Sequence, residues 1–187
     1  MSILDKYPQL PTEDLWVFGY GSLMWRPEFE FAESASARIF GFRRDLCLWS
    51  VVHRGTQQRP GLVFGLASGG SCLGRAFRVN AGRKQKVLAY LWQREMIRYA
   101  YIPKLVRIHT EQGVEHGLTF VVDTDHPQYV DNLSDKTTAT IICASRGKSG
   151  HNREYFLDCL KKFEEMGVCI ERYKNVKSLV LNGSDAR

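Results

Sequence analysis

The sequence predicts an α+β fold in which a barrel or strongly bent sheet is accompanied by helices, and three observations carry that expectation. Short runs of strand-forming residues between Trp16 and Val79 are broken repeatedly by glycine, the pattern of strands that bend or turn instead of running flat. The apolar period then changes, because from Lys84 to Arg98 the residues Val87, Leu88, Tyr90, Leu91, Arg94, Glu95 and Arg98 recur at helical spacing. Strand-like runs return at 105–109 and 117–122, and from Pro127 onward the chain again reads as helical.

Taken in order, residues 1–14, with Pro8 and Pro11, read as a flexible lead-in. Trp16, Val17 and Phe18 suit a buried strand that stops in a loop, Gly19-Tyr20-Gly21-Ser22-Leu23. Residues 37–50 are strand-like around a possible bend at Gly41, and Pro60-Gly61 marks a turn. Residues 62–66 and 72–79 flank Gly69-Gly70 and predict a hairpin. Later helices are expected at 127–133, 135–143 and 153–166, the last closed by Gly167 and capped by Asn152. The domain expected is a single one, 15–181, followed by a disordered tail at 182–187.

Composition narrows the function. A chain of 187 residues can bury roughly 70% of its unfolded surface, so it needs no disulfide or metal to hold a core. Its formal charge of +6 suits acidic partners, among them small anionic metabolites. The basic residues, however, fall in short scattered groups such as Arg43-Arg44 and 83–86, which read as solvated surface and give no support for nucleic-acid binding. Five cysteines lacking any Cys-x-x-Cys pair are read as reduced thiols, and the five histidines offer no metal-ligating spacing. No signal peptide or membrane span is visible, so a cytoplasmic location is expected.

Three groups of residues can carry chemistry. In the loop, successive amides of Gly19 to Leu23 can converge on a small anion, while the same glycines also suit a plain tight turn. No third glycine follows at the dinucleotide spacing and no Gly-Lys-Ser/Thr is present, so a nucleotide is not implied. On the helix, Val87, Leu91 and Glu95 are successive i, i+4 positions, and a carboxylate therefore continues an apolar stripe. Burial would raise its pKa toward that of a general base, and pairing with Arg94, Arg98 or Tyr99 is the alternative. Finally, His53-Arg54 can meet a carboxylate or lie exposed, and Ser149-Gly150-His151-Asn152 can be a helix-start anion site or a simple cap, with Tyr155 one turn further on.

The ordered blocks Trp16 to Trp25, His53-Arg54-Gly55 with Pro60-Gly61, Tyr90-Leu91 with Arg94-Glu95, and Ser149-Gly150-x-Asn152-x-Glu154-Tyr155 together resemble the ChaC family of γ-glutamylcyclotransferases. That resemblance implies a mixed, largely closed β-barrel with peripheral helices, no metal and no cofactor. It implies cleavage of glutathione, the small-molecule substrate, to 5-oxoproline and cysteinylglycine. It also implies Tyr20 to Leu23 as the glutamyl-binding loop, Glu95 as the catalytic glutamate and Tyr155 as a residue closing the glutamyl site. Arg54 is the candidate for the glycine carboxylate. The chain departs from close relatives at Arg83-Lys84-Gln85-Lys86 and at Met96-Ile97-Arg98, which leaves open a cyclotransferase for other γ-glutamyl peptides or amines. A non-catalytic module binding anions or nucleic acid is the remaining alternative, and the oligomeric state is not legible.

Overall fold

Five strands close into a barrel in the order β1-β3-β2-β4-β5. They are β1 (Leu15–Gly19), β2 (Glu33–Ser50), β3 (Gly61–Val79), β4 (Tyr101–Thr110) and β5 (Gly113–Val122). The structure, a computed structural model, describes residues 3–96 and 99–183. The described helices are α1 (Lys84–Glu95), α2 (Asp135–Ala144), α3 (Asn152–Glu165) and α4 (Lys174–Asn182). A two-stranded ladder pairs β6 (Arg146–Gly147) with β7 (Gly150–His151). The mixed barrel with helices agrees with the sequence expectation. The chain divides into two compact units, Met1–Asp45 with Leu66–His126 and Leu46–Gly65 with Pro127–Arg187.

In the first unit β1 is paired on both sides, antiparallel to β3 (Leu15↔Val79 through Gly19↔Arg75) and parallel to β5 (Trp16↔Gly117). All five of its residues are buried, and the two faces do different work. Trp16 and Phe18 join Ile39, Leu66, Ala76, Ile108 and Val121, a cluster drawn from all five strands and therefore the barrel interior. Leu15 and Val17 join Val87, Leu88 and Leu91 of α1, which fixes that helix against the barrel.

Several sequence expectations are corrected in detail. The hairpin at Gly69-Gly70 does not form: residues 61–79 are one strand, and the glycines, at φ +92° and +75°, bend it. Residues 127–133 are a loop, because Trp49 N–H donates to the Gln128 carbonyl (2.8 Å) and Val130 N–H to that of Cys47 (3.0 Å). Residues 3–6, expected to be loose, form a 3-10 turn, and Tyr7 is buried. Helix α1 stops at Glu95, short of Arg98, and Asn182 of the expected tail closes α4; Arg98 and 184–187 lie outside the described residues.

The second unit is organised by α3, whose Phe156, Cys159, Leu160 and Phe163 are buried at i, i+3, i+4 and i+7. Phe64 at the start of β3 stacks on Phe156 and meets Phe163 and Tyr173 edge-on, with centroids 5.2 and 5.3 Å away. Helix α4, which the sequence reading did not anticipate, buries Val176 and Val180 and packs on α2.

Candidate active site

Strand β1 delivers the glycine loop, and a buried arginine holds it in shape. Tyr20 follows the last β1 residue and is itself buried, while Ser22 to Met24 form one turn of 3-10 helix closed by Met24 N–H donating to the Gly21 carbonyl (2.9 Å). The amides of Ser22 and Leu23 lie in that first turn, ahead of its closing bond, and are not used by it. Ser22 is exposed, and the space a β-carbon would fill at Gly21 is open. Gly19 is crowded instead: an added β-carbon would lie 2.9 Å from that of Leu23. Arg44, whose sequence context predicts solvated surface, is 8% exposed and donates to the carbonyls of Tyr20 (2.5 Å) and Leu73 (2.8 Å). It ties the loop to the neighbouring strand β3 with charge-assisted hydrogen bonds.

Helix α1 brings Glu95 to the same unit. Its apolar stripe of Val87, Leu88 and Leu91 is buried against the barrel, and Glu95, the last helical residue, continues it with a side chain 17% exposed. Arg94 Nε stands 3.4 Å from the Glu95 carboxylate and pairs with it, Tyr99 is exposed, and Arg98, the other expected partner, lies outside the described residues. Burial pushes the Glu95 carboxyl above the usual carboxylate range, and the Arg94 guanidinium offsets only part of that rise. The Tyr7 hydroxyl is likewise pushed up, first by burial and then by the negative charge of Glu95.

Arg94 is the link between the two predicted parts. The same guanidinium donates to Ser22 Oγ (2.8 Å), to the Arg26 carbonyl (2.7 Å) and to the Tyr90 hydroxyl (2.6 Å). The loop and the carboxylate are therefore held in register by one side chain. The sequence places Arg94 at helical spacing and in the block with Tyr90, Leu91 and Glu95 without giving it this linking role; the i, i+4 spacing of Tyr90 and Arg94 is the available signal. For Arg44 no local signal exists.

In the second unit His53, Arg54 and Tyr155 come together around the 145–151 loop. His53 Nδ1 lies 2.9 Å from Ser149 Oγ, Arg54 donates to the Ser149 carbonyl (2.6 Å), and its guanidinium sits 5.2 Å over the Tyr155 ring. The Tyr155 hydroxyl accepts from Phe64 N–H (3.1 Å). Asn152 is not the cap that its position predicts. It is the first residue of α3, fully buried, and its amide accepts from Leu62 N–H and donates to the Leu62 carbonyl, both at 2.7 Å. Among the described residues no group of three His, Cys, Asp or Glu side chains is placed to hold a metal ion, and no helix is long and apolar enough to cross a membrane.

Residues 15–182 match the family profile described as ChaC-like protein. The chain belongs to the ChaC-like family. Within it, this chain is 34% identical over 155 residues to the glutathione-specific γ-glutamylcyclotransferase of Escherichia coli K12, covering 82% of this chain and 67% of that protein. It is 35% identical over 159 residues to the human glutathione-specific γ-glutamylcyclotransferase 1, covering 80% of this chain and 72% of that one. The ChaC-like fold is also that of a crystallised yeast γ-glutamyl cyclotransferase specific to glutathione. The match has a TM-score of 0.79 and 22% identity over 94% of this chain and 97% of the yeast chain.

Proposed function

We propose that this ChaC-like chain converts glutathione to 5-oxoproline and cysteinylglycine, with Glu95 moving the protons. The observation that carries the reading is the half-buried Glu95 carboxylate at the end of an apolar stripe, tied through Arg94 to Ser22 of the glycine loop. A carboxylate so placed is no aid to binding anions, whereas a pKa raised by burial makes it a stronger base for taking a proton from the substrate ammonium. The names of its relatives in Escherichia coli and human point to the same reaction.

The chemistry asks little more of the protein. The α-amine of the γ-glutamyl group attacks its own γ-carbonyl carbon, forming the new C–N bond of a five-membered ring. The bond from that carbon to the cysteinyl nitrogen then breaks. Nucleophile and carbonyl belong to one molecule, so the entropic cost of bringing them together is small once the chain is held bent. Glu95 takes a proton from the ammonium and returns one to the departing amine, which leaves atoms and charge balanced without consuming water. The amides of Ser22 and Leu23, fixed by the Arg44 clamp on Tyr20, are assigned to the substrate α-carboxylate or the developing oxyanion. His53, Arg54 and Tyr155 stay in the proposal as substrate-binding candidates, supported by their convergence on one loop. A cytoplasmic setting is supported by the five cysteines, all of them free thiols.

The test is release of 5-oxoproline from glutathione by the protein and by Glu95→Gln. The variant is expected to lose about 10²- to 10⁴-fold in kcat while still binding glutathione. Near-normal turnover would remove Glu95 from the mechanism. Faster turnover of γ-glutamyl-alanine than of glutathione would replace the substrate while keeping the reaction.

A further inference from the structure

Residues 3–13 lie along α1 from one end to the other. Near the start of the helix the Lys84 ammonium donates to the carbonyls of Pro11 (2.5 Å), Thr12 (3.0 Å) and Glu13 (3.2 Å). Asp14 accepts from Ala81 N–H just before it (2.9 Å). One turn beyond Lys84, the Tyr7 hydroxyl donates to the Leu88 carbonyl (2.7 Å), and its ring meets Trp92 (5.3 Å) and Phe120 (6.4 Å) edge-on. Lys6 lies 5.0 Å over the Trp92 ring. The segment therefore runs antiparallel to α1 and is held at several points. Tyr7, 8% exposed, belongs to the same buried cluster as Leu91, one turn before Glu95 on its face of the helix, and Met96, the residue that caps the end of the helix. The family match begins at residue 15, so this segment lies outside it.

We propose that residues 3–13 are a strap on the catalytic helix and that Tyr7 is a positioning residue whose ring keeps water from the Glu95 carboxylate. The inference rests on Glu95 being the proton-transfer group. Removing the ring admits solvent to a carboxyl whose pKa burial raises, so Glu95 then ionises at lower pH. Among the described residues, the charged and titratable groups around it are Arg94 on its own helix and Tyr7 on the strap. Lys6 stands a turn away over Trp92, and Glu28 and Tyr90 engage Arg94 on its far side. Only Tyr7 is altered in the decisive variant, and its hydroxyl faces Leu88, so a phenylalanine keeps the barrier that an alanine removes.

The experiment titrates the Glu95 carboxyl by NMR in the full chain labelled with 13C-glutamate, the resonance being assigned by its loss in Glu95→Gln. Tyr7→Ala is expected to lower the midpoint by about one pH unit, and Tyr7→Phe to leave it nearly in place. Lys84→Met frees the other end of the strap without touching the core. It is expected to speed hydrogen exchange at residues 3–13 and to move the midpoint the same way by less. An unchanged Glu95 midpoint in Tyr7→Ala overturns the strap, and if that variant does not fold, Lys84→Met decides in the same manner. The acid limb of kcat/KM for 5-oxoproline release is followed alongside. If the midpoint moves and the limb does not, the strap stands and the catalytic role of Glu95 falls.

Discussion

Replacing Arg94 by glutamine separates the two jobs given to that side chain. The guanidinium stands 3.4 Å from the Glu95 carboxylate, with the two side chains 18% and 17% exposed, and it also donates to Ser22 Oγ and the Arg26 carbonyl. An adjacent arginine lowers a carboxylate pKa by about 1–3 units, and partial exposure of both groups places this pair at the lower end. Losing the charge therefore raises Glu95 further by about one unit, and the acid limb of kcat/KM moves about one unit toward alkaline pH. Below that limb the variant is down by about tenfold from protonation alone, whereas above it the deficit shrinks to whatever the loosened loop costs. The assay is initial-rate release of 5-oxoproline from glutathione across the pH range, with thermal denaturation to establish folding at each pH. A deficit that is the same at every pH, or a limb that moves toward acid, refutes the argument that Arg94 tunes Glu95.

Glu95→Gln is expected to stabilise the fold near neutral pH even as it removes activity. A carboxyl whose folded-state pKa is raised binds more protons folded than unfolded, so its stabilising contribution is present below the ordinary carboxylate pKa and is lost as pH rises through the folded value. The melting temperature of the variant should exceed that of the parent at pH 7 and converge with it in acid. Each unit of raised pKa relieved is worth about 1.4 kcal/mol, and a lower melting temperature at pH 7 would contradict the burial argument. Asn152→Ala leaves the buried Leu62 N–H and carbonyl without their 2.7 Å partners and is expected to cost about 3 kcal/mol in urea unfolding. A loss under about 1 kcal/mol would mean that the pair is not what holds α3 to the start of β3.

What could be read before any coordinates was the local pattern. Three buried residues ending in Gly-Tyr-Gly-Ser declared a strand and a loop, and a carboxylate at the i, i+4 continuation of Val87 and Leu91 declared itself out of place on an apolar face. The same logic misread Gly69-Gly70. Two glycines with positive φ serve a hairpin and a bent strand equally, and the choice lies with β2, where Gly41 also has positive φ and Arg43 donates to the Ser68 carbonyl. Pro127 to Leu133 carried a helical pattern, but its backbone is taken up by Cys47 and Trp49.

The sequence by itself determined the glycine loop and the helix whose apolar stripe Glu95 continues, because each is written in spacings shorter than about two helical turns, and the order of such blocks along the chain pointed to the family to which it belongs. Tertiary structure alone decided that Arg44 is a buried clamp on Tyr20, that Arg94 joins Ser22 to Glu95, that Asn152 grips Leu62 and that Tyr7 is bonded to Leu88 of α1. Apart from the Arg94–Glu95 contact, these interactions join residues 24 to 90 positions apart. A polar side chain's role depends on which groups the fold sets within about 3 Å of it, and no local period encodes that.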